Sequence, residues 1–251
     1  MLRMSPPIGS HLQVGKEGHS EREELLRKAA IMEVQTFSIK SFPDWSDAEA
    51  KEARSFLDDH GLCVGEIAPF YGGRNLGSPD SLAHQESLQH LRRQMQIGII
   101  VGAHCIGFGW GKEFNAPNPA IWSDETWEER INSVIELVKD AENEGIDVAG
   151  HPLYFSPLCS VARYKEMLAV VRSSRLKVLI DIVNLTMPYM VFNTTDFINE
   201  VFDELGDHIT ALHAKDVKIA GAGLGRVPKV EKGLSLIHLD EVPLHQLQPT
   251  L

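Results

Sequence analysis

Cysteine is scarce in this chain of 251 residues: Cys63, Cys105 and Cys159 are the only three, each beside apolar residues and none in a Cys-x-x-Cys pair. That excludes a disulfide framework and a thiolate zinc site, and it leaves reduced thiols packed among apolar neighbours. Positive charge is also short, with 24 Lys and Arg against 35 Asp and Glu, a net charge of −11. Such a balance opposes approach to phosphate backbones and anionic lipid, and no local basic patch offsets it, so neither nucleic acid nor membrane is expected as a partner. Long apolar runs are missing as well. The stretches from Ile97 to Ala103 and from Val178 to Ile180 fall far short of the roughly 18 residues of a membrane span. The opening Met1-Leu2-Arg3-Met4-Ser5-Pro6-Pro7 has no apolar signal-peptide core, which points to a cytoplasmic chain. Gly221-Ala222-Gly223-Leu224-Gly225 lacks the Lys-Ser/Thr ending of a phosphate loop and reads as a flexible loop.

What is present is ordinary globular composition, 43% hydrophobic and 24% charged, in a length that α/β barrels occupy as one domain. Short β-branched apolar runs alternate with longer segments of helical spacing, the signature of repeated βα units around a parallel sheet. Seven such runs are recognisable: Ile8–Val14, Glu33–Ile39, Leu62–Ile67, Ile99–His104, Ile146–His151, Val178–Ile182 and Ile209–His213. Ser46 and Glu49 form a capping box that starts a helix to about His60, with Gly61 as its stop. Between Asp124 and Glu144, the residues Trp127, Ile131, Val134, Ile135, Val138 and Ala141 recur at spacings of three and four and line one face. Val161, Tyr164, Leu168 and Val171 repeat that stripe, as do Phe197, Val201 and Leu205, and all of these are core positions.

The longest loops, Pro69–Asp80, Gly107–Ser123 and Pro152–Ser160, follow candidate strand ends. Both a (β/α)8 TIM barrel and a doubly wound sheet place their sites there. After His213 only 38 residues remain, so a barrel looks one βα unit short.

Polar residues cluster where apolar strand meets cleft: His151 after Val148-Ala149-Gly150, Asp181 and Asn184 after Val178-Leu179-Ile180, and His213 with Lys215 and Asp216 after Ile209-Thr210-Ala211-Leu212. Asp and His are ligands for hard to borderline metals. Glu66 and His104 end two other candidate strands and would reach the same mouth as substrate contacts, with a rescue role as ligands. Phe108, Trp110 and Trp122 would supply an apolar wall for a sugar ring, or pack their own loop.

Asp181-x-x-Asn184 followed by His213-x-Lys215-Asp216 resembles the sugar phosphate isomerase/epimerase family of the xylose-isomerase-like TIM barrels, over roughly residues 8 to 243. The resemblance implies a divalent cation (manganese, cobalt or magnesium), a small sugar or polyol as substrate, and isomerisation or epimerisation through an enediolate. It implies Asp181 and His213 as metal ligands. Beside them His151 and Lys215 are the candidate catalytic groups: His151 would orient a substrate hydroxyl or act as a weak ligand, or else cap its loop, and Lys215 would neutralise a developing enolate or else pair with Asp216. The family's strand-five Glu-Gly-His stands here as Ala149-Gly150-His151, a methyl in place of a ligand carboxylate. Leu236 to Pro243 resembles the lead into the family's last strand, and the resemblance ends there, dividing the chain into a barrel domain, 1–243, and an unrelated tail, 244–251. Two expectations follow from this departure: an impaired isomerase that holds its cation weakly, or an inactive barrel that binds a small molecule or a partner. Strand edges left unpaired would favour self-association. A DNA endonuclease of the same fold is disfavoured, because its metal cluster needs more strand-end ligands than this chain offers.

Overall fold

The computed structural model describes residues 19–39, 45–69, 76, 81–110, 119–153, 156–222 and 237–242. Six strands, β1 (Thr36–Ile39), β2 (Cys63–Ile67), β3 (Cys105–Phe108), β4 (Asp147–Gly150), β5 (Leu176–Asp181) and β6 (Ile209–His213), form one parallel sheet in the order in which they occur. Nowhere does that order reverse, as it does in a doubly wound sheet, so the winding is that of a barrel. The helices are α1 (His19–Met32), α2 (Asp47–Asp59), α3 (Ser81–Val101), α4 (Asp124–Glu144), α5 (Val161–Val171), the four-residue α6 (Ile182–Leu185) and α7 (Thr194–Leu205). The candidate strand Ile8–Val14 and the tail 244–251 lie outside the described residues. Among the described residues, no helix is long and apolar enough to cross a membrane.

Local chemistry sets the helix ends. The Ser46 hydroxyl accepts from the Glu49 amide while the Glu49 carboxylate accepts from the Ser46 amide, closing the expected capping box on α2. α4 starts at the Ser123 cap and ends at Gly145 in the left-handed region, φ 73°. It buries Trp127, Ile131, Val134, Leu137, Val138 and Ala141. α7 buries Phe197, Val201 and Leu205, as its spacing predicts.

One strand assignment is corrected. Ile99–His104 is not a strand: α3 runs through Val101, Gly102 ends it at φ 70°, and the strand is Cys105–Phe108. The run Ile97-Gly98-Ile99-Ile100-Val101 has the composition of a buried strand. Its burial is helical instead, with Ile97 and Val101 fully buried four residues apart and Ile99 exposed between them. The other corrections concern the end of the chain. Gly221 and Ala222 belong to β7 (Asp216–Ala222) rather than to a loop, and β7 pairs antiparallel with β8 (Ile237–Val242). β8 therefore closes a hairpin with β7.

Alternation along the strands divides the sheet into two faces. Val64, Ile106, Val148, Val178 and Ile180 join the helices in the main apolar core. On the opposite face Cys105, Ala149 and Leu179 pack together, with Ala211 against them, in a separate small cluster. Two residues farther along β4, β5 and β6, on that same face, come His151, Asp181 and His213.

Candidate metal centre at the carboxyl ends of the strands

Asp181 is the last residue of β5 and the cap of α6. Its Oδ1 accepts from the Asn184 amide at 3.1 Å, which fixes the carboxylate and leaves Oδ2 for the site. Oδ2 lies 3.0 Å from Lys215 Nζ, 3.4 Å from His151 Nε2 and 3.5 Å from His213 Nδ1. His151 is held where it is because its amide donates to the Phe108 carbonyl at 2.9 Å, extending β4 alongside β3. The side-chain Nδ2 of Asn184 lies 3.4 Å from His151 Nε2. Behind them, the buried Tyr164 hydroxyl sits 2.9 Å from the Gly150 carbonyl and 3.1 Å from the Leu179 carbonyl, pinning the two strand ends together. The only hint of this in the sequence is a tyrosine in the α5 stripe of aliphatic residues.

Glu66 Oε1 meets His213 Nε2 at 2.8 Å. In the sheet order, β2 and β6 are separated by β3, β4 and β5, which in a flat sheet would put them about 19 Å apart. Their side chains touch because the sheet curls round on its inner face, bringing both strands over one mouth.

Electrostatics at this mouth are strongly coupled. Burial opposes the ionisation of Asp181, but His151, His213 and Lys215 outweigh it and hold the carboxyl far below its usual range. Burial likewise disfavours protonated His213, yet Asp181 and Glu66 dominate and push its pKa up to about 9. His151 goes the other way: its burial outweighs Asp181 and keeps the ring neutral, with His213 and Lys215 adding to the effect. Two carboxylates therefore face one imidazolium and one ammonium, a balanced set.

His151, Asp181 and His213 each offer one donor atom, and the three atoms lie within 4.8 Å of one another. Asp181 Oδ2 and Glu66 Oε2 are buried without a hydrogen bond among the described residues. Two imidazoles and a carboxylate with an oxygen unmatched by any directional donor suit a borderline divalent cation, so the residues present fit such a group. Ala149 does not contribute. It lies fully buried in the apolar layer beneath, where the Glu of the resemblance would have supplied a ligand.

Of the other residues expected here, Asn184 is present and Lys215 pairs with Asp181. His104 is not at the mouth: it is exposed, precedes β3, and donates its amide to the Val64 carbonyl at the amino side of the sheet. Trp110 is buried, edge-on to Phe108 and Trp127 with ring centroids 6.1 Å apart in each pair, so its faces are taken up by protein rather than open to a sugar.

The fold is that of several solved sugar enzymes. A D-psicose 3-epimerase from Clostridium cellulolyticum H10, solved with D-tagatose, is 18% identical over 84% of this chain and 72% of its own, with a TM-score of 0.63. A 3-keto-D-glucoside 4-epimerase from E. coli is 15% identical over 84% and 78%, TM-score 0.64. A xylose isomerase domain protein from Planctomyces limnophilus is 16% identical over 86% and 74%, TM-score 0.62. No functionally curated protein matches the chain. The family model described as xylose isomerase-like TIM barrel matches residues 26–242, and with the barrel winding and the curled sheet in place, the chain belongs to that family.

Proposed function

We propose that the chain is a metal-dependent isomerase or epimerase of a small sugar, sugar phosphate or polyol, working through an enediolate. The observation that carries this reading is the convergence of His151, Asp181 and His213 at the carboxyl ends of three adjacent strands, where barrels of this kind place their chemistry. Asp181 and His213 would hold the cation, and manganese or cobalt suits a donor set with imidazole better than magnesium does. The bound cation supplies polarisation of a substrate carbonyl and its neighbouring hydroxyl.

The chain's own residues do the rest. His151, kept neutral by burial, takes the proton from the carbon beside the carbonyl and returns it. Lys215, 3.0 Å from Asp181 Oδ2, is placed to donate to the oxygen on which negative charge develops. Asn184 and the second oxygen of Glu66 receive substrate hydroxyls.

A second reading rests on Ala149. With an alanine at position 149 and no carboxylate beside the cluster from β4, His151 becomes the third ligand, no neutral base is left, and the barrel binds a sugar or a partner without turning it over. His151→Asn separates the two. Under the first reading manganese affinity holds and ketose epimerisation disappears, whereas under the second affinity itself falls about tenfold or more. The underlying metal site is tested by thermal melts with and without manganese on the wild type and on Asp181→Ala. A manganese-dependent rise that the substitution removes supports the site, and a melt blind to manganese refutes it.

A further inference from the structure

We infer that Glu66 is a positioning residue that fixes His213 with its proton on Nε2 and its lone pair on Nδ1, aimed at the donor cluster formed with Asp181 and His151. The inference rests on the metal reading above for its purpose, but not for its geometry.

A neutral imidazole donates from one nitrogen only, so two carboxylates compete to choose which. Glu66 Oε1 stands 2.8 Å from Nε2 with hydrogen-bond geometry. Asp181 Oδ2 stands 3.5 Å from Nδ1 and makes no hydrogen bond among the described residues. Distance and direction therefore favour Glu66. Glu66 is 4% exposed and reaches His213 from a strand on the far side of the curled sheet. A carboxylate with so little solvent is a strong acceptor with no competing water. With the Nε2 proton held by Glu66, a neutral ring turns its Nδ1 lone pair toward Asp181 Oδ2, where Lys215 Nζ also stands 3.0 Å away. Glu66 thus prepares the site before the cation arrives, as an outer carboxylate does behind a ligating histidine.

The test has two arms. In the metal-free wild type with 15N-labelled histidine at pH 10.5, where the ring is neutral, long-range 1H–15N correlation shows which nitrogen keeps the proton. Nε2 is expected, and Nδ1 overturns the inference. The second arm is manganese titration calorimetry on the wild type, Glu66→Gln and Glu66→Ala. The glutamine keeps the acceptor oxygen and loses the charge, so its dissociation constant stays within about threefold of wild type, while Glu66→Ala weakens binding about tenfold or more. Equal damage in both variants would make charge rather than positioning the cause and would overturn the inference, as would alanine binding like wild type. Should the wild type bind no manganese, the metal reading has failed and the first arm alone decides the role of Glu66, needing no variant that folds.

Discussion

Two layers on the inner face of this sheet lie one strand repeat apart and behave as different materials. Cys105, Ala149, Leu179 and Ala211 make a small apolar plug in which the Cys105 thiol is pushed far up by burial and neighbouring carboxylates. Two residues on, His151, Asp181 and His213 make a charged cluster that tolerates burial only because each group answers another. The backbone of the three strands is the same through both layers. A shift of two residues along a strand is thus enough to pass from packing to chemistry, and the plug gives the polar layer a dry floor that strengthens every interaction above it.

The sharpest way to break this division is Asp181→Ala. It removes the one carboxylate that faces Lys215, His151 and His213 together, so manganese binding should fall more than about 100-fold, read by calorimetry. Leu179→Ala, one layer down, should do the opposite. Leu179 is fully buried, so its loss leaves a cavity costing about 2–5 kcal/mol in urea unfolding, while the folded fraction binds manganese as before. A substitution in the floor that changed affinity as much as stability would show that the two layers act as one.

Ala149→Glu sharpens the comparison from the other side, by moving chemistry into the floor. The site has no space made for a carboxylate, and burying one beside Cys105 and Leu179 should destabilise the metal-free protein by about 1–3 kcal/mol. The new side chain reaches toward the polar layer and adds a ligand oxygen, so manganese affinity should rise about tenfold, seen as a larger metal-dependent shift in the melting midpoint. Loss of stability with no gain in affinity would mean that the floor and the site do not communicate.

This contrast also governs what could be read from the sequence. Asp181 and His213 were legible because a lone polar residue closing an apolar β-branched run has nowhere else to go than the mouth of the barrel. The α4 and α7 stripes were legible because helical spacing of large apolar residues has one physical outlet, a core. His104 was misplaced because Ile97 to Val101 has strand composition, and only burial at every fourth residue reveals a helix that pushes the strand past His104, to Cys105–Phe108. Trp110 could line a sugar or fill a core equally well by type, and the neighbouring rings of Phe108 and Trp127, one of them far along the chain, decide it. The contact of Glu66 with His213 spans 147 residues and depends on the curl of the whole sheet, which no local pattern encodes.

The smallest expected effect is a slope with pH, and its sign separates the two layers' contributions to stability. His213 titrates at about 9 in the folded metal-free protein against a reference of 6.5. A raised folded pKa contributes stability that is complete below about pH 6.5 and is lost as pH climbs through 9. Metal-free melts should therefore weaken by about 1 kcal/mol per pH unit between pH 6.5 and 9. Manganese reverses the direction, because the cation needs the neutral ring and each proton it displaces makes binding stronger as pH rises. The metal-dependent shift in midpoint should grow over the same window in which the metal-free midpoint falls. His213→Gln should flatten both slopes, while Leu179→Ala, working only through the floor, should lower both curves and leave their slopes unchanged.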